Sequence, residues 1–163
     1  MTELDIVLSA LGTYLDENSV CAFAAYGTEP IEKYDTPVCA LSVHKAKGAH
    51  AGFGEYLGVF SDTEHGEREL YGKTLELELG IYIYVPKSMG ANACNTVFSE
   101  LTALLCTQQS PVRAGKISVE EVKSDRITGM FLTKAKAECT AFITYEMTDS
   151  GEFTDFRLGG RLV

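Results

Sequence analysis

Between Lys73 and Val85 the chain alternates apolar and polar residues without a break. Leu75, Leu77, Leu79, Ile81, Ile83 and Val85 stand between Thr74, Glu76, Glu78, Gly80, Tyr82 and Tyr84. Successive side chains of a strand point to opposite faces, so this pattern commits the segment to a strand with one buried face. Pro86 ends it, because it brings no N–H to a ladder. A second run of the same kind places Ala135, Ala137, Cys139, Ala141, Ile143, Tyr145 and Met147 between Lys134, Lys136, Glu138, Thr140, Phe142, Thr144 and Glu146. Small residues dominate its apolar side, which suits a helix lying close against it.

Two stretches carry the other period. Leu4, Val7, Leu8, Leu11 and Leu15 form one apolar stripe at helical spacing, so a helix is expected over about residues 2–16. Thr2 and Asp5 have the spacing of a capping box, and Glu3 and Asp5 sit at the favourable end of the helix dipole. Val97, Leu101, Leu104 and Leu105 mark a second helix that runs to about Gln108, with Ser88, Asn92 and Asn95 as candidate caps and Pro111 as the stop. Shorter strands are expected at Val20–Tyr26, Val38–Lys45, Gly115–Asp125 and Phe153–Leu158, with a bulge where the phase shifts at Glu120-Glu121-Val122.

Residues 46–72 read differently. Six glycines (Gly48, Gly52, Gly54, Gly58, Gly66, Gly72) surround one short apolar run, Tyr56-Leu57-Gly58-Val59-Phe60. A glycine-rich span of this length inside a domain is expected to be a flexible, functional insertion. The chain of 163 residues is otherwise expected to be one domain over 1–163. The class is α+β: an antiparallel or mixed sheet with two amphipathic helices on one face, in the order α-β-β-β-α-β-β-β. The opposite face would carry Tyr82, Tyr84 and Phe142 among charges.

Composition excludes some partners. With 14 Lys and Arg against 23 Asp and Glu, the net charge of −9 gives no general attraction to phosphate backbones, so no specific nucleic-acid binding is expected. No stretch approaches the roughly 20 apolar residues that span a bilayer, and no membrane partner is expected. The start Met1-Thr2-Glu3-Leu4-Asp5 has neither the basic beginning nor the apolar run of a secretory signal, which points to the cytoplasm. Cys21, Cys39, Cys94, Cys106 and Cys139 form no CxxC pair and lie in apolar surroundings, as reduced thiols do.

Signs of catalysis are sparse. His44, His50, His65 and nearby Glu55 match no standard ligand spacing, and no metal is expected. Cys94 stands at a helix start, where a thiolate is favoured, but no histidine has an evident route to it, and it reads as a packed cysteine. Gly48 to Gly54 fits neither phosphate-loop pattern, and Glu76 and Glu78 read as carboxylates on a solvated strand face. No cofactor and no enzymatic activity are expected.

Three segments together resemble the small tail-terminator, or tail-completion, proteins of long-tailed bacteriophages and phage-tail-like particles. They are the helix Leu4 to Leu15, the strand–helix unit Thr74 to Leu105, and Asp125-Arg126-Ile127-Thr128-Gly129-Met130-Phe131-Leu132, which looks like the turn into the last long strand. Residues 46–72 fall outside the likeness. The resemblance implies a non-enzymatic virion protein that assembles into a ring, typically a hexamer. Such a ring caps the tail tube, touches tube or sheath protein, and joins the neck or connector. It implies work in the cytoplasm of the producing bacterium, then in the finished tail. Tyr82, Tyr84 and Phe142 on the sheet, with Phe53, Tyr56 and Phe60 in the insertion, are the candidate contact residues. The alternatives are a head–tail connector, neck or baseplate component, or an unrelated small ligand-binding module.

Overall fold

The two alternating runs lie side by side at the centre of the sheet. The computed structural model describes residues 2–25, 31–50, 56–62, 66–147 and 153–158. Strand β4 (Gly66–Val85) pairs antiparallel with β7 (Phe131–Met147), from Glu69↔Met147 to Val85↔Phe131. At strand rise, that ribbon is about 54 Å long. Its apolar side matches large residues to small ones: Leu75 opposes Ala141, Leu77 Cys139, Leu79 Ala137 and Ile81 Ala135. All eight are buried.

The remaining strands are β1 (Ala22–Ala24), β2 (Val38–His50), β3 (Tyr56–Asp62), β5 (Arg113–Val119), β6 (Lys123–Ser124) and β8 (Phe153–Leu158). The sheet runs β1-β2-β4-β7-β5, with β3 also on β4 and both β6 and β8 also on β7. The β1–β2 pair is parallel and the other pairs are antiparallel. The class and layering are those expected, with β3 and β6 added to the order.

The helices cover one face. In α1 (Glu3–Glu17) Val7, Leu11 and Leu15 are fully buried, while Leu4 and Leu8 pack partly buried against the same core. The capping box is present, with Asp5 N donating to Thr2 Oγ1 at 3.2 Å and Thr2 N to Asp5 Oδ2 at 2.8 Å. The helix ends in a Schellman-type turn. Ser19 N donates to Asp16 O at 3.0 Å and Val20 N to Leu15 O at 2.9 Å. Ser19 holds φ at 68°, a position usually given to glycine. Helix α2 (Asn92–Leu105) buries Cys94, Val97, Leu101 and Leu105. Tyr14 joins the helices, its hydroxyl 2.9 Å from Leu104 O and 2.6 Å from Thr107 Oγ1.

Several sequence expectations are corrected. Residues 46–72 are not one irregular insertion: β2 continues to His50, β3 occupies 56–62, and β4 starts at Gly66. The reason is pairing, since β4 is long enough to take β2 along 73–84 and β3 along 66–71 on the same edge. Ladder bonds there outweigh the poor strand propensity of glycine. Helix α2 ends at Leu105, short of Gln108, and its N-cap is Ala91 with no side-chain bond, because Ser88 lies in a separate 3₁₀ turn, Lys87–Met89. The strand expected from Gly115 to Asp125 is two strands. Its register slips between Ala114 and Ile117, while Glu120–Val122 is a break.

Candidate functional site

The helix-free face of the sheet is built in rows across β2, β4 and β7, because residues paired in register share a face. From one end these rows read Val38–Tyr84–Leu132, Ala40–Tyr82–Lys134, Ser42–Gly80–Lys136, Lys45–Glu78–Glu138 and Lys47–Glu76–Thr140. Thr74 and Phe142 pair beyond them. The face therefore has an aromatic end, an ionic belt and a second aromatic position.

At the first end the face is covered, which the sequence did not announce. Val38, Ala40 and Ser42 are all buried, although they turn away from the helices. Tyr82 and Tyr84 beside them are half-buried. Burial raises the Tyr84 hydroxyl above its ordinary pKa, and the Asp125 carboxylate and Tyr82 push it the same way. The Lys134 ammonium sits 6.0 Å from the centroid of the Tyr82 ring.

His44 sits in β2 at a register slip between Val43 and Lys45. The slip turns its ring over Gly80. Its Nε2 lies 3.3 Å from the Tyr82 hydroxyl, and its Nδ1 lies 3.9 Å from Glu78 Oε1. A Cβ on Gly80 would collide with that ring and stand 2.8 Å from Ser42 Oγ. Glycine in the middle of a strand costs stability. Here it makes room for the His44–Tyr82 contact. Lys136 Nζ completes the group at 3.8 Å from Glu78 Oε1.

Over the ionic belt lies a depression of about 790 Å3, with Lys45, Lys47, Glu76, Glu78, Arg113 and Glu138 in its lining. Lys45 pairs with Glu78 and Lys47 with Glu76 across it, while Glu78 and Glu138 stand side by side, so it presents mixed charge.

The predicted contact residues do not form one patch. Tyr82 and Tyr84 are neighbours on one face, two positions apart on β4. Phe142 shares that face, but it lies eight residues along β7 from Lys134, the partner of Tyr82. That separation is about 26 Å. Tyr56 and Phe60 fall in β3, and Phe53 lies outside the described residues.

Cysteine chemistry follows burial. Burial, with smaller contributions from Cys21 and Glu100, pushes the Cys39 thiol up to about 12; burial and Cys106 do the same for Cys139. Cys94 is fully buried in α2 and Cys106 is exposed. Among the described residues no three His, Cys, Asp or Glu side chains gather as metal ligands, and no helix is long and apolar enough to cross a membrane. His50 in β2 is described by its backbone alone, and His65 lies outside the described residues.

The turn expected before β7 is present at Asp125–Met130, but the sequence did not single out the residue at its tip. Ile127 there is 93% exposed. Compared with models of known protein families and with curated proteins, the chain matches none.

Proposed function

We propose that this chain is a non-enzymatic structural protein of a phage tail or phage-tail-like particle. It forms a ring that ends the tail tube and joins it to the neck or connector. The resemblance of the three segments named above supports this reading. The observation that carries it is the one-sided sheet. Both helices lie on one face, and the other offers Tyr82, half-buried and braced by His44 and Lys134, with the half-buried Tyr84 two positions along the strand, as ready-made anchors. Ordered aromatic side chains lose little entropy on contact, which is why they dominate the energetics of interfaces.

The partners under this reading are further copies of the chain, the tube or sheath protein, and the neck protein. The place of work is the producing cell, then the tail. Native mass spectrometry of the purified chain tests it, alone and with tail tubes. A discrete closed oligomer, a hexamer foremost, is expected. A strict monomer that also ignores tail tubes would sink the reading.

The depression over the ionic belt favours a second reading, a small module that holds a charged ligand against Lys45, Lys47 and Arg113. Mass spectrometry of protein purified under native conditions decides it. A stoichiometric small molecule that is lost on charge reversal of Arg113 supports this reading, and protein free of any ligand counts against it.

A further inference from the structure

Two features on opposite edges of the sheet are complementary in shape and charge. One is the turn from Asp125 to Met130. Asp125 Oδ2 accepts from Thr128 N at 3.1 Å and from Thr128 Oγ1 at 2.6 Å; Gly129 N donates to Asp125 O at 3.0 Å. Asp125 N donates to Met130 O at 2.8 Å, closing the base, and Gly129 takes a positive φ of 69°. The result is a braced protrusion with Ile127 93% exposed at its tip and the exposed Arg126 beside it.

The other is a groove of about 380 Å3 between α1 and β1. Leu8, Gly12, Ala22 and Ala24 form its apolar lining, and Asp5 and Asp16 stand on its rim. Both carboxylates are exposed. Asp16 Oδ1 accepts from Ala22 N at 2.9 Å, which leaves its second oxygen to meet a cation. Among the described strands only β2 pairs with β1, so the groove opens on a free sheet edge.

We propose that neighbouring copies of this chain join head to tail, with the Ile127 tip of one seated in the α1–β1 groove of the next and Arg126 facing Asp16. The inference rests on the ring reading above and names its contact. Four strand spacings, about 19 Å, separate the two edges. Both features sit towards the same end of the sheet: Ala22–Ala24 aligns through Cys39–Leu41 and Ile81–Ile83 with Thr133–Ala135, and the turn leads into Phe131. A protrusion and its socket on different surfaces give a heterologous contact. Such contacts build closed rings when the rotation between copies closes. The charge match fits a second copy well, because an acidic chain otherwise repels itself and here aims a cation at an acidic rim.

The test uses two full-length variants. Ile127→Asp spoils the tip and keeps the groove. Thr13→Trp fills the groove at an exposed helix position and keeps the tip. Each should be monomeric alone, with every contact weakened about tenfold to a hundredfold. Mixed in equal amounts they should form a dimer and nothing larger, since one good tip meets one good groove. Ile127→Leu should keep the wild-type oligomer. Circular dichroism confirms that the variants are folded. Two results would overturn the contact and leave the ring reading standing: variants that still form the wild-type ring, or folded monomeric variants whose mixture makes no dimer. A wild-type chain that is monomeric with and without tail tubes would instead overturn the ring reading itself.

Discussion

Thr133 is the sharpest place to test how the core is put together. It faces the helices opposite Ile83, it is 1% exposed, and its Oγ1 has no hydrogen-bond partner among the described residues. Stripping water from a hydroxyl without replacing the lost bond costs about 1–3 kcal/mol. Valine keeps the β-branch and its rotamer preference while it puts a methyl where the hydroxyl stood. Thr133→Val should therefore raise stability by about 1–2 kcal/mol. For a chain of this size that is a rise in Tm of about 2–8 °C. Urea denaturation is the assay: the midpoint should move up while the slope stays unchanged, since the area exposed on unfolding hardly changes. Thr133→Ser is the control. It keeps the hydroxyl and loses the methyl, and it should fall below wild type. If Thr133→Val is less stable than wild type with the same slope, the hydroxyl is satisfied in solution and the packing described at this row is wrong.

Other perturbations have equally definite outcomes. Ser19→Gly should stabilise by about 1 kcal/mol in thermal melts, because glycine holds the left-handed φ of 68° without a Cβ penalty. Ala137→Leu should destabilise by about 1–3 kcal/mol, since Ala137 is fully buried opposite Leu79 and no space is left for a larger side chain. A thiol reagent at neutral pH should label Cys106 first, while Cys39 and Cys139, held near 12, react only after denaturation; mass mapping of the labelled peptides reads the order. The Asp125 carboxyl is held below its ordinary value of 3.8, chiefly by the Thr128 hydroxyl. The bracing of its turn is therefore complete above that value and fades as pH falls through the lower folded pKa. The Gly129 amide resonance should report the loss in acid, and Asp125→Ala should remove that pH step.

Most of the architecture was legible because its signals were periodic. The alternation of Leu75 to Val85 and Ala135 to Met147 left no other way to bury those side chains, and the Leu4 to Leu15 stripe did the same for α1. Pairing was not legible. The glycines of 46–72 suppressed the local strand signal, while the partner that overrides them, the first part of β4, is separated from β2 in sequence. The start of α2 stayed open among Ser88, Asn92 and Asn95, because Ala91 serves as N-cap without the polar side chain that usually marks one.

The candidate face was half legible. Period two placed Tyr82, Tyr84 and Phe142 on one side, but only the register shows that an ionic belt separates Phe142 from the two tyrosines. The His44–Tyr82 contact depends on a slip in β2 and on Gly80 making room, and neither has a local sequence signature. Ile127 sat in plain view between Arg126 and Thr128, yet its exposure follows from the turn bonds around Asp125.

The role proposed for this chain is to end a tail tube. The most direct measurement follows tail-tube protein polymerising in the presence and absence of the chain, by electron microscopy of tube lengths and tube ends. A ring on one end of each tube, and growth that stops once it is seated, is the result expected of a terminator. Tubes that lengthen equally with and without the chain, and carry nothing at their ends, would contradict it.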